Sequence, residues 1–169
     1  MHAGNLQLVL LTAAITLVAV GAELDAQRRA SGQPAAKQAI QVAMNVGGQP
    51  FESSEPGSCT YAPIASIYQL MSELWSVQLS ADSRSVSMTF WRPKDGSGEM
   101  VNLSLRSGNN SHDVNTVRGG ATMGSGTVSL QKVGGGGTFT VNAKTKAGVT
   151  ITGTIKCDTF APHIAEGGR

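Results

Sequence analysis

The sequence predicts an all-β fold: an antiparallel β-sandwich or small barrel of seven to eight short strands, closed by one disulfide. Composition is the first indication. Of 169 residues 21 are Gly, only 14% are charged and 5% aromatic, and Ser and Thr crowd the second half, a turn-rich β composition. Hydropathy is the second, because apolar and polar residues alternate in short runs separated by turn signals every 8 to 12 residues or so. The third is a pair of cysteines, Cys59 and Cys157. Sandwich and barrel share this pattern, so the sequence does not choose between them.

The chain opens with an apolar run from Leu6 to Ala22, broken only by Gln7, Thr12 and Thr16 and free of charge. Small residues at Val20-Gly21-Ala22 offer a signal-peptidase site, with Leu24-Asp25-Ala26 as a second choice. Residues 1–22, or 1–26, therefore read as an export signal. The alternative is an uncleaved anchor, but a run of about 17 residues sits at the lower limit for spanning a bilayer, and no Lys or Arg precedes it to set orientation. The membrane enters as a partner only in that alternative. Thirteen basic against eleven acidic residues give a formal charge of +2. They are scattered with no basic run beyond Arg28-Arg29, so no nucleic-acid partner is expected.

Residues 23–38 lack apolar periodicity and read as a disordered tether leading into a β-domain over 39–160. Ile40, Val42, Met44 and Val46 alternate with polar neighbours as a first strand, ending at Gly47-Gly48. Pro50 to Gly57 reads as a loop. From Pro63 the apolar spacing changes to Ile64, Ile67, Leu70 or Met71, and Leu74, which fits one short helix or an irregular apolar loop over residues 63–74. Trp75, Val77 and Leu79 resume the period of two.

Val86, Met88 and Phe90, then Val101, Leu103 and Leu105, form the two arms of a hairpin turning through Pro93 and Asp95-Gly96. His112 to Arg118 and Gly126 to Val133 supply two more strands. Four glycines, Gly134 to Gly137, lead into the strongest local signal, the hairpin Thr138 to Cys157. On its return arm Val149, Ile151, Gly153, Ile155 and Cys157 share one face. Residues 161–169 read as a flexible tail.

Two cysteines in an exported chain are expected to pair, because that compartment is oxidising and an even number leaves no orphan thiol. A Cys59–Cys157 bridge closes a long loop and is worth up to about 4.7 kcal/mol in the chain-entropy model. No Cys-x-x-Cys spacing points to redox or zinc chemistry.

An export signal, a cysteine in the first third, Gly/Ser/Thr-rich strands and a final strand ending Thr150-Ile151-Thr152-Gly153-Thr154-Ile155-Lys156-Cys157 together resemble small bacterial exported proteins with a two-cysteine β-domain. More distantly, the chain is similar to the mycobacterial surface lipoprotein antigens, which carry a lipid-modified cysteine at the cleavage site that this chain lacks. The resemblance implies an envelope or secreted β-domain and supplies no catalytic residues.

Candidate chemistry is sparse. His112-Asp113 is a His beside a carboxylate, but neighbours on a strand face opposite ways and cannot orient one another. Ser129 and Lys132 match the Ser-x-x-Lys string, which needs a helical turn to bring both groups to one side, whereas the surrounding alternation predicts a strand. Gly134 to Gly137 is not followed by Gly-Lys-Ser/Thr or a helix, so it predicts a hairpin connection and no phosphate loop. Asp82, Asp95, Asp113 and Asp158 are too dispersed for a calcium loop. Asn102 and Asn109 begin glycosylation sequons, relevant in a eukaryotic host. No catalytic residue, metal site or cofactor is expected.

Most of the aromatic residues gather in one region: Tyr61, Tyr68, Trp75, Phe90 and Trp91. Trp75 and Phe90 fit the inward register. Trp91 breaks it and should point outward, so Trp91 with Arg92 is the candidate partner-binding pair, by stacking on an envelope or extracellular partner. The competing reading packs Trp91 under the Ile64 to Leu74 segment. The function expected is a non-enzymatic exported binding or structural module. A carrier of a small apolar ligand in a barrel is the first alternative, and a hydrolase of unrecognised type the second.

Overall fold

The computed structural model describes residues 36–165; the predicted export signal and nearly all of the tether lie outside them. All regular structure among the described residues is β, arranged in two antiparallel sheets that pack as a sandwich. The chain runs β1 (Gln38–Ala39), β2 (Gln41–Val46), β3 (Gln49–Ser53), β4 (Pro56–Ile67), β5 (Leu70–Ala81) and β6 (Arg84–Pro93). It continues through β7 (Met100–Ser107), β8 (Asn110–Asn115), β9 (Ser125–Val133), β10 (Gly136–Lys144), β11 (Thr150–Cys157) and β12 (Ala161–Pro162). One sheet has the order β1-β4-β5-β6-β7-β8, with β12 parallel to β4; the other has the order β3-β2-β11-β10-β9.

Period-two alternation explains the layers. In β6, Val86, Met88 and Phe90 are buried and pair with Leu105, Leu103 and Val101 of β7, while Ser85, Ser87 and Thr89 face out. The β10–β11 hairpin pairs Phe139 with Ile155 and Ala143 with Ile151, also inward, and turns at Thr145–Val149. These inward faces meet in one core that includes residues of both sheets. A column of rings crosses it. Tyr61 stacks on Trp75 at 4.9 Å, Trp75 meets Phe90 at 5.6 Å, and Phe90 meets Phe139 edge-on at 5.8 Å. Such pairs add about 0.5–1.5 kcal/mol each beyond their buried area.

Three devices join the sheets. Cys59 of β4 and Cys157 of β11 form the expected disulfide, with Cα atoms 6.2 Å apart and both residues buried. Ile40, fully buried between β1 and β2, is where the chain passes from one sheet to the other. The Gln38 side-chain amide donates to the Thr159 carbonyl and accepts from the Thr159 N–H, tying the start of the domain to the segment after β11. Gly153 (φ +140°) sits mid-strand in β11 where a side chain would collide with the Ala43 carbonyl of β2.

The structure departs from the expected elements in four places. Residues 63–74 form neither helix nor loop: they are the far half of the β4–β5 hairpin, which reverses at Tyr68 and Gln69, both with positive φ (45° and 68°). A bulge between Ala62 and Ala65 shifts the alternation, so apolar residues fall at helix-like intervals along a strand. Pro50 to Gly57 contains β3 and the start of β4 in place of a loop, with Pro50 on an edge strand where its missing N–H is tolerated. Residues 161–165, expected as tail, add β12 beside β4 and bury Ala165 against Ala62 and Ala65. Gln38, expected at the end of the tether, instead pairs with Gly57 in β1, a strand too brief to show alternation.

Candidate functional site

Trp91 points outward, as its register requires, but it is only 8% exposed. Beyond β8 the chain folds back along β7: the Thr116 N–H donates to the Val101 carbonyl, and the Thr116 hydroxyl oxygen accepts from the Val101 N–H. That return lays Val117 over Trp91 and Met100, with Ile67, Leu70 and Leu74 completing a small second core. The expected exposed indole is therefore covered, and it packs beside the Ile64 to Leu74 segment. Nearby, the Tyr68 ring lies against Gly119 and Gly120, where a Cβ would stand about 3 Å from it.

Arg92 faces the opposite way, into the open end of the sandwich. It pairs across strands with Glu73, and its guanidinium lies 5.2 Å from the Trp75 ring centre and 5.7 Å from that of Phe90. Its Nε and Nη2 both donate to one Glu99 carboxylate oxygen at 3.0 Å. The Tyr61 hydroxyl donates to Glu73 at 2.5 Å, and the Lys132 ammonium stands 5.0 Å from the Tyr61 ring centre. Burial, then the hydrogen bond to Glu73 and its charge, push the Tyr61 phenol up to about 12, with Arg92 opposing. These groups satisfy one another and cap the aromatic column, except that the Trp75 indole N–H is buried without an acceptor among the described residues.

Sequence reasoning found Arg92 but missed Tyr61, Glu73, Glu99 and Lys132 as its company. The available signal was parity: once β4 and β5 are paired, Tyr61 must lie opposite Trp75.

The outer face of the larger sheet is built from the other half of the same alternation. Across four strands Ser58, Gln78, Ser87 and Ser104 are successive register partners, and so are Thr60, Ser76, Thr89 and Asn102. Gln78 and Asn102 are exposed and the shorter side chains half-buried between them. The Gln78 amide donates to the Ser87 hydroxyl at 2.9 Å. Charge enters at the β7–β8 margin with Arg106 and Asp113, where the Ser104 and Ser111 hydroxyls hold the Asp113 carboxyl below the usual carboxylate range, and beside β4 with Lys37, which lines a cleft with Ser58 and Gln78. Two open clefts border this face. One, of about 310 Å³, includes Ser58, Gln78 and Ser80; the other, of about 390 Å³, includes Ser80, Ser85 and Arg106.

The remaining candidates stay apart. His112 pairs with Leu105 and Asp113 with Ser104, on opposite faces of β8. Ser129 is exposed in β9, while Lys132, three residues on, reaches back to Tyr61. Among the described residues no three His, Cys, Asp or Glu side chains cluster as metal ligands. No protein-family model, curated protein or solved structure matches this chain.

Proposed function

We propose that this chain is a non-enzymatic exported protein, acting in the envelope or outside the cell as a binding or structural module. The observation that supports this reading most is the buried Cys59–Cys157 bridge between the two sheets, which suits an oxidising compartment. The apolar run at residues 6–22 and the resemblance to small bacterial exported two-cysteine proteins, and more distantly to mycobacterial surface lipoprotein antigens, point the same way. The side chains that fill the space between the sheets weigh against a carrier for an apolar ligand.

The reading is tested by producing the full chain in a bacterial host and fractionating the cells. Processed protein is expected in the periplasm or medium, silent in esterase, glycosidase and peptidase screens. Unprocessed cytoplasmic protein, or an activity that His112→Ala abolishes, contradicts it.

A further inference from the structure

We infer that β9 is a docking edge for a second copy of this chain, the two β9 strands pairing antiparallel about a two-fold axis at Ser129 so that the five-stranded sheets of both copies join. The contact is independent of the compartment in which the protein works. A strand at the edge of a sheet turns every second N–H and C=O to solvent, and a sheet that stays single hides them. Among the described residues the other three edges carry such guards. On β3, five residues long, the two-residue turn at Gly47-Gly48 leaves the backbone of Pro50 and Glu52 facing outward. Pro50 has no N–H to offer, and the Glu52 carbonyl accepts from Arg84 Nη1 at 2.6 Å. Along β4, the strands β1 and β12 cover parts of the edge, and the Tyr61 carbonyl accepts from the His163 N–H. On β8, the Asn115 N–H and carbonyl are both taken by Met123, and Asp113 puts a charge beside the remainder.

β9 has none of these devices. It runs nine residues in unbroken one-to-one register with β10, without Pro, and its lone charge, Lys132, stands next to its end. The Gly134-Gly135 turn closes on the pair Val133–Gly136, so Gly126, Val128, Leu130 and Lys132 turn their N–H and C=O groups away from β10. Among the described residues no backbone group meets them. The strand fits a copy of itself. An antiparallel pair uses the whole strand only when Ser129 faces Ser129 of the other copy. Val128 then lies opposite Leu130 and Gly126 opposite Lys132, and each of those pairs exchanges both backbone hydrogen bonds. The two Lys132 side chains fall at opposite ends of the ladder, so no like charges face each other. Leu130, half-buried in one copy, gains Val128 of the other as a cross-strand neighbour. The contact also closes on itself: once both β9 edges are used, the joined sheet ends on two β3 strands, whose guarded edges stop further growth.

The test is sedimentation equilibrium of the purified chain over a series from about 1 μM to 1 mM, with Ser129→Lys, Ser129→Glu and their equimolar mixture. The parent is expected to shift from one chain mass to two as concentration rises. Each charged variant alone sets like charges face to face across the axis and should weaken association tenfold or more, and the mixture should restore it. Thr152→Lys, exposed on the same outer face but within the sheet on β11, should associate as the parent does. Ser129 is exposed, and each variant is compared only after its thermal melt matches the parent's; either Ser129 variant decides the matter where the other does not fold. A parent that stays monomeric, including one whose β9 carries a foreign strand, overturns the proposal. So does association that the Ser129 variants leave unchanged, a mixture that does not re-form the dimer, or equal loss with Thr152→Lys.

Discussion

Tyr61 keeps its proton well into alkali because the neutral phenol is half-buried on Trp75 and donates to Glu73, and ionisation would place two anions side by side. An unfolded tyrosine ionises near pH 10. The folded value, about 12, is the higher. The sign follows: this contribution to stability is complete below about pH 10 and is lost as pH rises from there toward 12. Absorbance titration should show a tyrosinate step near the upper value, and Tyr61→Phe should remove it and flatten the fall in stability across that window. Absence of any tyrosinate step near the upper value in the folded parent would contradict the Tyr61–Glu73 contact. Trp91 makes a second residue-scale case. Because it lies under Met100 and Val117, Trp91→Ala should lower unfolding free energy by about 3 kcal/mol in urea titration. A variant as stable as the parent would mean that the ring is free.

Among the elements, the hairpins were unequally legible. The β6–β7 and β10–β11 pairs could be read directly, since strict alternation fixed their faces and Asp95-Gly96 and Ala147-Gly148 marked their turns. The β4–β5 hairpin could not. Its turn is Tyr68-Gln69, without the Gly or Asn that positive φ favours, and its bulge disguises a strand as a helical spacing. The same hairpin carries the prediction at this scale: Gln69→Gly should relieve left-handed strain and raise unfolding free energy by about 1 kcal/mol, read as a higher urea midpoint. The polar rows show the matching limit for the site. Ser85, Ser87 and Thr89 were visible as the outward half of a strand, and so were Asn102 and Ser104. That they line up with Gln78 and Ser58 depends on register across several turns, which local alternation does not encode.

At the scale of the whole molecule, a sandwich with few charges and many glycines relies on what joins its layers. The aromatic column supplies contact across the core, and Ile40 with the Gln38–Thr159 amide pair closes one side. The bridge does the most, because it spans a sequence separation of 98. Entropy lost by the unfolded chain alone is worth up to about 4.7 kcal/mol at that loop size. The proposed function requires an exported domain clasped by that bridge. The most direct measurement is the intact mass of the protein recovered from the periplasm or medium, before and after reduction. The expected result is a chain beginning at Glu23 or Gln27 that gains about 2 Da on reduction. A full-length chain, or one carrying two free thiols before reduction, would contradict it.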